Sequence, residues 1–186
     1  MDKIIVRSTM NIRQSWTNNL IIAILVFIAL SNVYCYRSVD RGSWSFGQSL
    51  YMNLSNIQQV DEIEYVENSA GYTVRPIRSN HDLTAVKVLL VNRTSSRVSL
   101  LVDENASYLS SVGSAQFKPL NPYTDRKEIT TIPTSKSEFL PFLWGTVELQ
   151  EGFQIQGWMF FETPKQTEFS NFTWTQADYI RDFFDR

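Results

Sequence analysis

The pattern of apolar and polar positions divides the chain in two. Asn19 to Tyr36 is apolar almost throughout, with Leu20-Ile21-Ile22-Ala23-Ile24-Leu25-Val26-Phe27-Ile28-Ala29-Leu30 at its centre. No Lys, Arg, Asp or Glu falls between Arg13 and Arg37. A helix from Trp16 to Tyr36 spans about 30 Å at roughly 1.5 Å per residue, the thickness of a hydrocarbon core. Trp16 at one end and Tyr34 and Tyr36 at the other stand where aromatic belts lie. The pattern predicts a cytoplasmic tail over 1–18 and a single transmembrane helix over 19–36. A cleaved signal peptide is the competing reading, with Ala29-Leu30-Ser31 as the small-x-small triplet. The long tail and the apolar continuation past that triplet favour a retained anchor. Lys3, Arg7 and Arg13 on the tail outweigh Arg37 and Arg41, which flank Asp40. That bias puts the tail inside and the rest of the chain outside. Cys35 follows the bulky Tyr34 rather than a small residue, which argues against lipoprotein processing.

Residues 37–59 read as a juxtamembrane linker or an interfacial helix. Arg41-Gly42-Ser43-Trp44-Ser45-Phe46-Gly47 is polar and dotted with aromatics. Trp44, Gly47, Tyr51 and Leu54 fall at helical spacing, as do Phe46 and Leu50. An amphipathic helix here would lie on the membrane or against a neighbouring subunit, although its glycines weaken it.

From Val60 the period becomes two, and 60–186 is expected to be an extracytoplasmic β domain. Ile63 and Tyr65 alternate with Glu62 and Glu64, and Tyr72 to Arg75 follows after Gly71. The strongest strand is Asp82 to Val91, apolar on both faces near its end as a central strand should be. Asn92-Arg93-Thr94-Ser95-Ser96 is turn chemistry, and Arg97 to Val102 returns with Val98, Leu100 and Val102 on one face. Val88, Leu100 and Phe153 are expected in the core. Phe153, Ile155 and Met159 alternate with Gln154 and Gln156 after the Gln150-Glu151-Gly152 turn. Pro119 to Leu140 is proline-rich and irregular; long loops of this kind are often functional, and the alternative is a flexible surface loop or one with a short strand at Ile129 to Ile132. Asp178 to Phe184 is read as a closing strand, with one helical turn as the alternative because Thr175 and Asp178 could form a capping box. Roughly seven or more short strands at this spacing argue for a mainly β, antiparallel two-sheet sandwich.

The aromatic share, 13%, suits a folded domain rather than a disordered one. Net charge is −2 with no basic stripe, so nucleic acid is not expected as a partner. A single cysteine excludes an intrachain disulfide. The single histidine, His81, sits in an Asn80-His81-Asp82 turn and reads as a solvated residue. It has no second His or Cys with which to bind zinc or activate a thiol. There is no Gly-x-Ser-x-Gly elbow and no phosphate-binding glycine loop. Asp61-Glu62-x-Glu64 and Asp103-Glu104 are acidic, but adjacent strand side chains point to opposite faces and chelate poorly. No enzyme activity, cofactor, metal or small-molecule substrate is therefore expected. Trp144, Trp158 and Trp174 offer either core packing or a sugar-stacking platform, with packing favoured.

The run Val88 to Asn92 with its Ser-rich turn, then Leu149, Gly152, Gly157, Phe161 and Pro164, resembles the bacterial extracytoplasmic immunoglobulin-like domains of the DUF4352 type. The resemblance covers roughly residues 60–184. It implies an immunoglobulin-like sandwich tethered to the membrane and no active site. The chain departs from it by lacking a lipobox cysteine and by the long Pro119–Leu140 segment.

The expected function is that of a single-pass accessory subunit at the cell membrane, its domain periplasmic or at the cell surface. A respiratory or photosynthetic assembly is one such host. The alternative is a tethered ligand- or glycan-binding module. Membrane lipid and other membrane-protein subunits are the expected partners. The candidate partner contacts are the helix face bearing Leu20, Ala23, Phe27 and Leu30, the extension bearing Trp44 and Tyr51, and Tyr123 and Arg126 in the long loop.

Overall fold

Period two, not helical spacing, governs the chain from Trp44 onward. The computed structural model describes residues 44–133 and 137–184. Among the described residues there is no helix. The strands are β1 (Trp44–Phe46), β2 (Leu50–Val60), β3 (Ile63–Glu67), β4 (Ala70–Val74), β5 (His81–Asn92), β6 (Arg97–Val102) and β7 (Ser107–Ser111). They continue with β8 (Gln116–Phe117), β9 (Arg126–Ile129), β10 (Gly145–Gln150), β11 (Gln154–Pro164), β12 (Phe169–Trp174) and β13 (Ile180–Phe183). The pairs formed between these strands are antiparallel. They make sheets of order β1-β2-β5-β11, β10-β6, β13-β12-β7-β8 and β3-β4-β9.

The Trp44–Leu54 stretch is thus neither a helix nor a linker. Leu50, Met52 and Leu54 are fully buried while Tyr51 and Asn53 alternate with them. A helix would have scattered those three side chains around its axis; a strand puts them all in the core. Gly47 makes the turn between β1 and β2, its N–H bonding the Leu50 carbonyl at 2.8 Å.

β5 is the central strand, flanked by β2 and β11. Its two faces serve two separate clusters. Val86, Val88 and Leu90 join Met159 and Phe161 of β11, Leu50, Met52 and Leu54 of β2, and Leu100, Leu109, Phe172 and Trp174 from the facing strands. Leu83 and Ala85 point the other way, with Trp158 and Phe160 of β11, against Ile63, Tyr65 and Val74 of β3 and β4 and against Phe139 and Phe142. One face is buried along the strand; the other is covered over Leu83 and Ala85 only, and Leu89 and Val91 near the end stay half-buried.

Asn92 ends β5 and is fully buried. Its amide donates to the Ser95 carbonyl at 2.7 Å and to the Leu149 carbonyl at 2.9 Å, and its oxygen accepts from Ser95 N–H. One side chain therefore closes the Ser-rich turn and ties it to β10.

Phe153, placed in the core by its alternation with Ile155, is 62% exposed. Gly152 has a φ of +80°, and Phe153 N–H bonds the Gln150 carbonyl while its own carbonyl accepts Asn92 N–H, so Phe153 sits at the junction of the turn and the ladder that starts at Gln154. Val88 and Leu100 are buried as expected. His81 opens β5 and is largely buried, its Nδ1 lying 2.8 Å from Asn80 Oδ1, where a solvated turn was expected.

The segment from Pro119 to Leu140 is stitched to the open edge of β11 at both ends. Leu120 N–H bonds the Phe160 carbonyl, Leu143 N–H the Trp158 carbonyl, and Trp158 N–H the Pro141 carbonyl. It contains the strand β9, which meets the alternative of a strand at Ile129–Ile132 only at Ile129, and β9 pairs with β4. Gly157 lets the 141–143 segment approach: a Cβ there would lie 2.8 Å from Leu143 N and 3.0 Å from Pro141 O, both backbone atoms. Gly157→Ala is expected to destabilise the fold by about 1–3 kcal/mol, the usual cost of overpacking. Denaturant unfolding measures it, and an unchanged midpoint would mean that the segment yields freely.

Candidate functional site

Catalytic groupings are not what the described residues bring together. No cluster of three or more His, Cys, Asp or Glu side chains with metal-binding geometry occurs among them. The acidic pairs are engaged locally. Glu62 accepts from Thr73 and Arg75, Asp61 faces Lys165 at 3.5 Å, and Asp103 accepts Asn105 N–H in an Asx turn. Trp158 and Trp174 are buried and Trp144 is half-buried, so these three form no sugar-stacking platform. What remains are three surface features built from aromatic and basic side chains.

The first is centred on Arg126, at the start of β9. Its guanidinium pairs with Glu67 of β3 and donates to Tyr65 Oη at 2.9 Å. It lies 3.8 Å over the Tyr72 ring and within 6 Å of the Tyr65 and Tyr123 rings. Tyr65 O–H in turn donates to the Pro122 carbonyl at 2.8 Å. The hydrogen bonds to Glu67 and Tyr65 raise the Arg126 pKa further above its already high value. Burial pushes the Tyr65 and Tyr123 phenols above the ordinary tyrosine value, against the pull of Arg126. The folded chain thus keeps these two protons to higher pH than the unfolded chain, and their contribution to stability is lost as pH rises above the tyrosine range. The fork of Arg126 is directed inward, fastening the long segment to β3 and β4. Tyr123 packs edge-on against Phe142 and keeps 40% of its surface in solvent.

The second feature is the outer face of the central sheet at its β1 end. Cross-strand register aligns Phe46, Tyr51, Val91 and Gln154 in one row and Trp44, Asn53, Leu89 and Gln156 in the next. Ser55, Lys87 and Trp158 make a third. The layer that covers Leu83 and Ala85 does not extend over the first two rows: Trp44, Phe46, Gln154 and Gln156 are exposed, and Tyr51, Asn53, Leu89 and Val91 are half-buried. Phe46 stacks edge-on with Tyr51 at 4.6 Å, Arg93 lies over the Tyr51 ring, and Lys87 over Trp158. Trp44 and Tyr51, singled out by helical spacing, do share a surface, but as residues of adjacent strands.

The third feature escaped the sequence reading. On β13 and the turn before it, Tyr179 and Phe183 are 61% and 63% exposed, with Arg181 between them. Arg181 donates to Thr173 at 3.3 Å and to the phenols of Tyr108 and Tyr179, and it lies over the Tyr179 and Phe183 rings. The phenols of Tyr108 and Tyr179 are 2.9 Å apart. Their hydrogen bond lowers the Tyr108 pKa and raises that of Tyr179. The signal was present as Tyr179-x-Arg181-x-Phe183, a period-two aromatic–basic face on a strand. β13 ends its sheet, and an open groove separates its approach from β1, with Phe46 and Gln48 on one side and Thr175, Ala177 and Tyr179 on the other. At the floor of this junction Asp178 Oδ2 accepts the Ser49 and Leu50 N–H groups at 2.7 and 2.6 Å.

Leu20, Ala23, Phe27 and Leu30 lie outside the described residues, as does the whole 19–36 stretch. Among the described residues no helix is long and apolar enough to cross a membrane. No protein-family model, curated protein or solved structure matches the chain.

Proposed function

We propose that the chain is a single-pass membrane protein whose β domain lies outside the cytoplasm and serves as an accessory interaction subunit of a larger membrane assembly. The observation that carries this reading is the Tyr108–Tyr179–Arg181–Phe183 cluster, which runs from β7 across β12 to the terminal strand β13 and the turn before it. Tyr, Phe and Arg are the side chains in which interface centres are rich, and an Arg held by hydroxyls keeps its charge at the surface in a fixed orientation. The apolar 19–36 stretch supports anchoring, and the basic bias of the tail supports the orientation. The stacked antiparallel sheets support the immunoglobulin-like arrangement implied by the DUF4352-type resemblance, which is part of the same proposal. A tethered glycan-binding module is the weaker reading, because two of the three tryptophans it would use are buried.

Copurification tests the proposal. The detergent-solubilised chain is expected to bring down a membrane partner in stoichiometric amount. Combined Tyr179→Ala, Arg181→Ala and Phe183→Ala substitution should remove that partner while leaving the domain folded, since each side chain is at the surface. Replacing 20–30 by polyleucine should keep membrane attachment and weaken the association. A chain that elutes as a free monomer, or a partner retained at full yield by both variants, would contradict the subunit reading.

A further inference from the structure

We infer that the uncovered outer face of the β1-β2-β5-β11 sheet rests on an anionic lipid headgroup surface. This inference depends on the membrane anchoring proposed above.

Two observations select lipid as the occupant. The first is tether length. β1 begins at Trp44, and only residues 37–43 separate it from the predicted end of the apolar stretch. Fully extended, they reach about 25 Å at roughly 3.3–3.6 Å per residue, so β1 stays close to the bilayer surface on this reading. The second is chemistry. The face presents Trp44, Phe46 and Tyr51 over half-buried Leu89 and Val91, and aromatic side chains of this kind collect at headgroup depth. Its charged side chains are Lys87 and Arg93, each over an aromatic ring, and its three rows contain no carboxylate. Three rows with one cation and no carboxylate, flanked by Arg93, on a chain of net charge −2 match an anionic surface better than the chain's own average surface does. The rest of this sheet face is covered by β3, β4 and Phe139 to Phe142, so the chain buries this face where it has a layer to do so. The β13 cluster adjoins the same edge across the Phe46–Tyr179 groove. A partner bound there would also be met close to the membrane.

The test uses the full chain in nanodiscs of phosphatidylcholine with phosphatidylglycerol, doped with a lipid that carries a spin label on its headgroup. In a Cys35→Ser background, a fluorophore is placed at Gln156→Cys, on the face, or at Leu101→Cys. Leu101 is an exposed β6 residue that points away from the core cluster containing Leu100 and Val102. Several-fold stronger quenching at position 156 than at 101 is expected. It should fall on combined Lys87→Glu and Arg93→Glu substitution and in discs of phosphatidylcholine alone. Equal quenching at the two positions, in a chain that remains with the disc, would overturn the inference and leave the anchoring intact. So would a label at 156 that is shielded from aqueous iodide yet untouched by the lipid quencher, since a protein would then be the cover. Quenching indifferent to both charge changes would overturn the anionic assignment. A chain that does not stay with the disc would overturn the anchoring and this inference together.

Discussion

Phe161→Ala is expected to destabilise the domain by about 3–5 kcal/mol, and Phe153→Ala by no more than about 0.5 kcal/mol. Phe161 lies on β11 and Phe153 in the turn just before it, and both sit in apolar-looking sequence, but their surroundings differ. Phe161 is fully buried on β11, edge-on to Phe172 at 6.0 Å, in the cluster shared with β2 and β5. Truncation there loses the transfer energy of the ring and leaves a cavity walled by rigid strands on all sides. Phe153 projects from a turn into solvent, so its removal leaves no cavity. Urea unfolding of the two variants measures the difference. Equal losses would mean that the turn is packed in solution.

Arg126→Ala is expected to cost about 2–4 kcal/mol, more than its place in an irregular segment suggests. The substitution removes the ion pair with Glu67 and the donor to Tyr65, and it uncovers the Tyr72 ring. Glu67 is partly exposed and regains water, which limits the loss. Arg126→Lys keeps the charge but loses the planar fork that stacks on Tyr72 while bonding Glu67 and Tyr65 together, so it should recover less than half of the loss. Arg126→Ala should also speed proteolysis of the 119–140 segment before it affects the core strands, because Arg126 fastens that segment. Unchanged stability and unchanged proteolysis would make Arg126 a surface residue with no part in holding the segment down.

How much was legible in the sequence depended on how local the deciding interaction was. β3, β5 and β6 were read close to their observed bounds because alternation within each strand already encodes a buried and an exposed face. The Trp44–Leu54 stretch was misread because Trp44, Gly47, Tyr51 and Leu54 follow one another at i+3 and i+4 while Leu50, Met52 and Leu54 repeat at i+2. A short segment carries both periods, and only the partner strand β5 decides between them. The second core cluster was hidden. Trp158 and Phe160 were seen as an apolar run, but the β3–β4 hairpin and the 139–142 segment that cover them are distant in the chain. Arg126 was noted as polar surface because nothing local ties it to Glu67 or Tyr65 across 59 and 61 positions. The Tyr108–Tyr179 pair spans 71 positions, and only its β13 half left a trace, in the alternation of Tyr179, Arg181 and Phe183.

The most direct measurement of the central claim is labelling of a single exposed cysteine in intact cells. Leu101→Cys in the Cys35→Ser chain places a thiol on an exposed strand position, and a membrane-impermeant maleimide reports which side of the membrane it occupies. The account predicts full labelling before lysis once the wall or outer membrane is made permeable, together with retention of the chain in the membrane fraction after a carbonate wash. Labelling only after lysis of the inner membrane, or release of the chain by the wash, would contradict it.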